Sequence, residues 1–131
     1  GYDISINDPG RTDKKPAHWE YYDIPDRKAL YDEYSRLISF RKDHPRFFDS
    51  DADFSWKVSS RYWENRYIHC IDAEGNAFVV TGNFDINDAN VTIPLPKTGN
   101  WRNYFGNETY ENASEVTLDL KSAEYRILVN F

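Results

Sequence analysis

The richest supply of potentially reactive side chains in this sequence is acidic: Asp and Glu together number 22 of 131 residues. Glycoside hydrolysis needs two carboxyl groups facing one another across a bond, roughly 5–9 Å apart. Nearly all the acids here fall in turn-rich segments or on the polar side of periodic ones, where a solvated charge is the ordinary state. The histidines are His18, His44 and His69. No two stand at metal-ligand spacing, and no HExxH or Cys–His set occurs, so neither a metal site nor a cofactor is expected. His44, beside Pro45, suits a helix C-terminus, where the imidazolium form complements the dipole. His69 and Cys70 adjoin in the apolar run Tyr67–Ile71. Neighbours on a strand point to opposite faces, which excludes a Cys–His dyad and leaves Cys70 as a small core residue. Ser59-Ser60 lacks the Gly-x-Ser-x-Gly setting of an activated serine, and the six glycines are too dispersed to cradle a phosphate. Asn90-Val91-Thr92, Asn107-Glu108-Thr109 and Asn112-Ala113-Ser114 fit the glycosylation pattern, a short motif that chance supplies often. These residues predict no self-sufficient active site.

Composition narrows the classes further. The length is that of one domain, with room for a hydrophobic core but little for a deep catalytic cleft. A net charge of −6 argues against a nucleic-acid partner, which needs clustered basic residues. The nearest cluster, Arg11 to Lys15, is interrupted by Asp13. No apolar run approaches the ~18–20 residues of a membrane span. Aromatic residues make up 17% of the chain. Most fall in strand-like runs, where flat rings pack on a pleated surface, and this reading is favoured; the alternative is a carbohydrate-binding module using exposed Trp56, Trp63 or Trp101 as a stacking platform. Methionine is absent even at position 1, and the first ten residues are turn-rich and uncapped. Both features point to a chain cut from something longer.

The elements that would position these residues follow from periodicity. Residues 1–24 carry no sustained period and read as a loop packed down by Trp19, Tyr21 and Tyr22. Asp23-Ile24-Pro25-Asp26 supplies helix-start chemistry. Leu30, Tyr34, Leu37, Ile38 and Arg41 then recur at spacings of three and four, and His44-Pro45 ends the pattern, predicting a helix over residues 25–43. Beyond Pro45 the period becomes two. Candidate strands are Phe54–Ser59, Arg66–Asp72, Ala77–Phe84, Asn90–Leu95, Trp101–Tyr104, Glu115–Leu120 and Tyr125–Asn130. Ala77–Val80, apolar on both faces, should be central; Pro94 marks an edge strand; Gly75 supplies the positive φ of a hairpin. The expected fold is mainly β: an antiparallel β-sandwich of Greek-key type with seven to eight strands, preceded by a loop and one α-helix.

The order of these elements resembles the end of the α-amylase family of glycoside hydrolases. Asp8-Pro9-Gly10-Arg11, then Pro16-Ala17-His18-Trp19, is similar to the loop after the last barrel strand. Leu37-Ile38-Ser39-Phe40-Arg41-Lys42-Asp43-His44-Pro45 is similar to the final barrel helix. Ala77–Phe84, Gly99–Glu108 and Ala123–Leu128 look like the central strand, the Trp-containing turn and the closing strand of the family's C-terminal β-domain. The resemblance covers essentially the whole chain. It implies a division into residues 1–45, the remnant of a (β/α)8 barrel, and residues 46–131, a C-terminal sandwich. The expected function is a non-catalytic part of a starch or maltooligosaccharide hydrolase, with its catalytic carboxylates upstream. Its partner would be that barrel, with α-glucan as a further ligand, and a periplasmic or secreted setting would suit such an enzyme. The resemblance also implies that Asp8 and Arg11 hydrogen-bond glucose units. The spacing here is one residue short of the family pattern, so Lys14 competes with Arg11 for that role.

Overall fold

In a computed structural model, residues 17–58 and 65–131 are described. They form two compact units, divided between Asp43 and His44. In the first unit a 3-10 helix, Trp19–Asp23, leads into α1, Pro25–Asp43. The first i→i−4 bond of α1 runs from Lys28 N–H to Ile24 C=O. That makes Ile24 the cap residue and Pro25 the first helical residue, where its missing N–H costs nothing. Asp26 lies in the first turn and Arg41 and Lys42 in the last, the arrangement the helix dipole favours. The pairs Lys28–Asp32 and Glu33–Arg36 stand at the i,i+4 and i,i+3 spacings at which opposite charges on a helix surface meet.

The second unit is mainly β. Its strands are β1 (Asp53–Val58), β2 (Asn65–Ile71), β3 (Ala77–Asn83), β4 (Ala89–Asn103), β5 (Thr109–Leu120) and β6 (Tyr125–Val129). All pairs are antiparallel. The six lie in one sheet ordered β1-β2-β3-β6-β4-β5, because β6 returns between β3 and β4. Two of the seven candidate strands, Asn90–Leu95 and Trp101–Tyr104, are one continuous β4. The Pro96–Asn100 segment, expected as a connection, stays in the ladder through register shifts between Pro94 and Trp101.

The length of β4 folds this sheet into two layers. Only its last residues, Arg102 and Asn103, pair with β6. Its first half pairs with β5 alone, so Pro94 does sit on a local edge. That half crosses one face of the β2-β3-β6 layer, where His69 Nε2 donates to Pro94 C=O at 2.9 Å and Lys97 Nζ donates to Gly75 C=O. Val91, Ile93 and Leu95 of β4 and Val116, Leu118 and Leu120 of β5 point inward. They meet Ala77, Val79 and Leu128 in a core that also takes in Trp101. The intervening Thr92, Pro94, Thr117 and Asp119 are exposed. The opposite face of β3 is covered by a second 3-10 helix, Pro45–Phe48. There the Phe47 ring meets Phe78 at 5.0 Å and Phe131 at 5.2 Å. β3 is accordingly the central strand, buried along nearly its whole length.

Cys70 and His69 face opposite ways, as expected. Cys70 is fully buried and its thiol donates to Phe47 C=O at 3.3 Å. Burial, followed by the nearby Asp53 and Asp72 charges, pushes its pKa up to about 11, which leaves it a core residue rather than a nucleophile.

The β2–β3 hairpin turns on Gly75, at φ +81°, and on Asp72. The Asp72 carboxylate, almost fully buried, accepts from Glu74 N–H (3.0 Å), Asn76 N–H (2.8 Å) and Asn76 Nδ2 (2.9 Å). Burial alone would raise its pKa, but the Asn76 and Glu74 hydrogen bonds and the Arg46 guanidinium outweigh that and hold it below the ordinary value. A depressed folded-state pKa contributes stability above the unfolded value, and that stability is lost as pH falls through the folded value. Asp72→Ala is therefore expected to cost about 2 kcal/mol at neutral pH. The gap between variant and wild type should narrow below about pH 4, near the unperturbed aspartate value. Thermal denaturation between neutral and strongly acid pH checks both; a gap independent of pH would refute the assignment.

Candidate functional site

The most unusual surface of the first unit is aromatic. Leu30, Tyr34 and Ile38 repeat every four residues along α1, and they are 56%, 61% and 53% exposed; Phe40 is the helix's one buried residue. A stripe of this kind normally faces a core. Here it continues into a cleft of about 660 Å3 between the 3-10 turn and the start of α1, with Trp19, Tyr22, Arg27 and Tyr31 among its walls.

Local contacts hold the cleft open. The His18 imidazole stacks on the Tyr21 ring at 4.7 Å and bonds through Nδ1 to Glu20 Oε1 at 2.6 Å. That bond holds the Glu20 carboxyl below its usual pKa. The Arg27 guanidinium lies 3.6 Å from the Tyr21 ring centre, a cation–π contact. Tyr22 meets Tyr31 edge-on at 5.3 Å, and Lys28, whose pKa is raised chiefly by its bond to Asp32, sits 5.1 Å from the Tyr22 ring centre. Trp19 and Tyr22 are exposed; residues 1–16 of the loop they were expected to pack down lie outside the described residues. The cleft offers the rings of Trp19, Tyr22 and Tyr31 beside the Arg27 guanidinium and the His18 imidazole.

The residues singled out in the sequence are dispersed. Asp8, Arg11, Lys14, Trp63, Ser59 and Ser60 lie outside the described residues. Trp101, a platform residue only under the alternative reading, is 2% exposed. Its ring fills the core, and its indole N–H donates to Lys97 C=O at 3.2 Å. Trp56 is exposed on β1, and so is Phe54, two residues away on the same face. His44 follows α1 and belongs to the second unit, where Nε2 lies 3.1 Å from the Tyr104 hydroxyl. Among the described residues, no group of three or more His, Cys, Asp or Glu gathers as a metal site, and no helix is long and apolar enough to cross a membrane. Trp19, Tyr22, Arg27 and Tyr31 were missed as surface residues. The signal was present: 27, 31, 34 and 38 continue the same three- and four-residue spacing.

No protein-family model matches the sequence. A search of curated proteins likewise finds no match.

Proposed function

We propose that this chain is the non-catalytic C-terminal part of an α-amylase-like α-glucan hydrolase: the last barrel helix and the β-domain that follows it. The observation that carries the reading is the exposed apolar stripe Leu30-Tyr34-Ile38 with its aromatic cleft. A large exposed apolar patch usually marks an interface, and a final barrel helix would bury such a stripe against the other elements of its barrel. The order of helix and antiparallel β-domain supports the same reading, as do the motifs quoted above. Within it, Asp8 with Arg11 or Lys14 contacts substrate and the β-domain stabilises the barrel.

The test is to express the chain alone and as part of the longer product of its reading frame, and to assay both on maltooligosaccharides. The longer product is expected to hydrolyse them and the chain alone to be inactive. Leu30→Glu with Ile38→Glu should sharply lower soluble yield of the longer product while leaving the melting of the isolated chain nearly unchanged. A longer product without α-glucan activity, or activity in the chain alone, overturns the reading.

A second reading, a free-standing carbohydrate-binding module, is favoured by one observation: Phe54 and Trp56 share an exposed face of β1. Binding of maltoheptaose by the isolated chain, lost in Trp56→Ala, would select it.

A further inference from the structure

We infer that the second unit carries a separate binding site for a neutral sugar, in a cleft of about 370 Å3 where the end of β4, the start of β5 and the end of β6 meet. The site shares no residue with the aromatic helix face or with Trp56, and it does not rest on the function proposed above. Arg102 stands at its centre, directly opposite Thr109 on β5 and Val129 on β6. Residues opposite one another in a ladder share a face, and Glu111, two residues beyond Thr109, lies on that face as well. The guanidinium is fixed from behind, donating through Nη2 to Phe131 C=O at 3.4 Å and lying 5.5 Å from the Tyr104 ring centre. No ion pair joins it to Glu111 among the described residues, so one cation and one anion stand in the same cleft.

The amide side chains have defined roles. Asn100 Oδ1 accepts from Asn112 N–H at 2.9 Å, and Asn130 Oδ1 accepts from Ala77 N–H at 2.7 Å. Each oxygen is engaged by a backbone donor, which fixes the amide orientation and leaves the NH2 groups as the donors these residues can offer. Glu111 adds an acceptor, Thr109 a hydroxyl of either sense, and the Phe131 ring adds apolar surface.

This inventory selects a ligand class. Balanced Arg102 and Glu111 charges disfavour a phosphate or carboxylate, which Glu111 would repel, and a cation, which Arg102 would repel. Fixed donors alternating with acceptors beside aromatic carbon match a pyranose, which carries hydroxyls around its rim and C–H groups on its faces. The volume is near the lower end of small-ligand sites, roughly 300–1,000 Å3, which suits a mono- or disaccharide unit at a chain end.

The test is NMR titration of the isotopically labelled chain with maltotriose, cellotriose and xylotriose, each to about 10 mM, since an exposed site of this size binds in the millimolar range. The expected result is saturable shifts from at least one sugar, confined to Asn100, Arg102, Thr109–Glu111 and Asn130–Phe131. Glu111→Gln and Arg102→Ala should each weaken that binding about tenfold with the rest of the spectrum intact, while Trp56→Ala leaves it unchanged. Inorganic phosphate should produce no saturable shifts. Absence of shifts in this cleft with all three sugars overturns the inference, as does binding insensitive to both cleft variants, or phosphate binding in place of sugar. None of these outcomes alters the hydrolysis assay of the longer product, so the two proposals fail separately.

Discussion

Trp101→Ala is expected to destabilise the second unit by about 3–5 kcal/mol, the range for removing a fully buried large aromatic side chain. The residue is 2% exposed and belongs to the cluster formed by β4, β5 and the β3-β6 layer. Its removal opens a cavity where the two layers meet. It also strands Lys97 C=O, which accepts the indole N–H at 3.2 Å. Trp56→Ala, at a 57% exposed position, is expected to change stability by no more than about 0.5 kcal/mol. Because a loss of 5 kcal/mol could unfold a domain of ordinary stability, Trp101→Phe serves as the companion: it retains most of the buried ring surface and should cost about 1–3 kcal/mol. Urea denaturation followed by circular dichroism orders the three variants. Equal midpoints for Trp101→Ala and wild type would contradict the buried placement, and with it the folding-over of β4.

The contrast between Trp56 and Trp101 shows where the sequence was informative. α1 runs over Pro25–Asp43 as expected, because its period is sustained over five turns and Pro25 and Pro45 punctuate both ends. The central position of β3 was legible because Ala77–Val80 has no polar face. The inward side of Trp101 is not legible while Pro96-Lys97-Thr98-Gly99-Asn100, which carries turn chemistry, is read as a connection between two strands. Once β4 is continuous, the parity set by Val91, Ile93 and Leu95 carries on to Trp101 and Asn103, both buried. The ladder tolerates Pro94 and Pro96 because this half of β4 has a hydrogen-bonded neighbour on one side only, and the register shifts take up the rest. The aromatic cleft was harder to find for a different reason. Periodicity identifies an apolar face without saying whether anything covers it, and exposure is a tertiary property. The sugar-sized cleft had no linear signal at all: Arg102, Glu111 and Asn130 converge only through the non-sequential pairing of β4 with both β5 and β6.

Asn83 should give the second large effect, and its sign with pH makes the test sharp. The side chain is buried at the end of β3, 1% exposed. Nδ2 donates to Asn87 C=O at 2.8 Å, Lys121 C=O at 3.2 Å and Leu120 C=O at 3.3 Å, while Oδ1 accepts from Asp85 N–H at 3.0 Å. One residue therefore ties the β3–β4 loop to the β5–β6 turn, across the two layers. Asn83→Ala leaves several of these backbone groups without a partner and is expected to cost about 3 kcal/mol. Asn83→Asp preserves shape but replaces two donors with an acceptor, so an ionised carboxylate would face three carbonyl oxygens. Burial and those oxygens raise the pKa of the new carboxyl in the folded state above its unfolded value. The folded variant then binds more protons than the unfolded one, and its stability falls as pH rises through the folded value. At neutral pH Asn83→Asp should be less stable than Asn83→Ala, and it should recover part of the difference at about pH 4. Thermal melts of both variants at the two pH values decide the matter. If Asn83→Asp melts with wild type at neutral pH, the Asn83 amide does not donate to those carbonyls, and the two layers must be tied together at that end by something else.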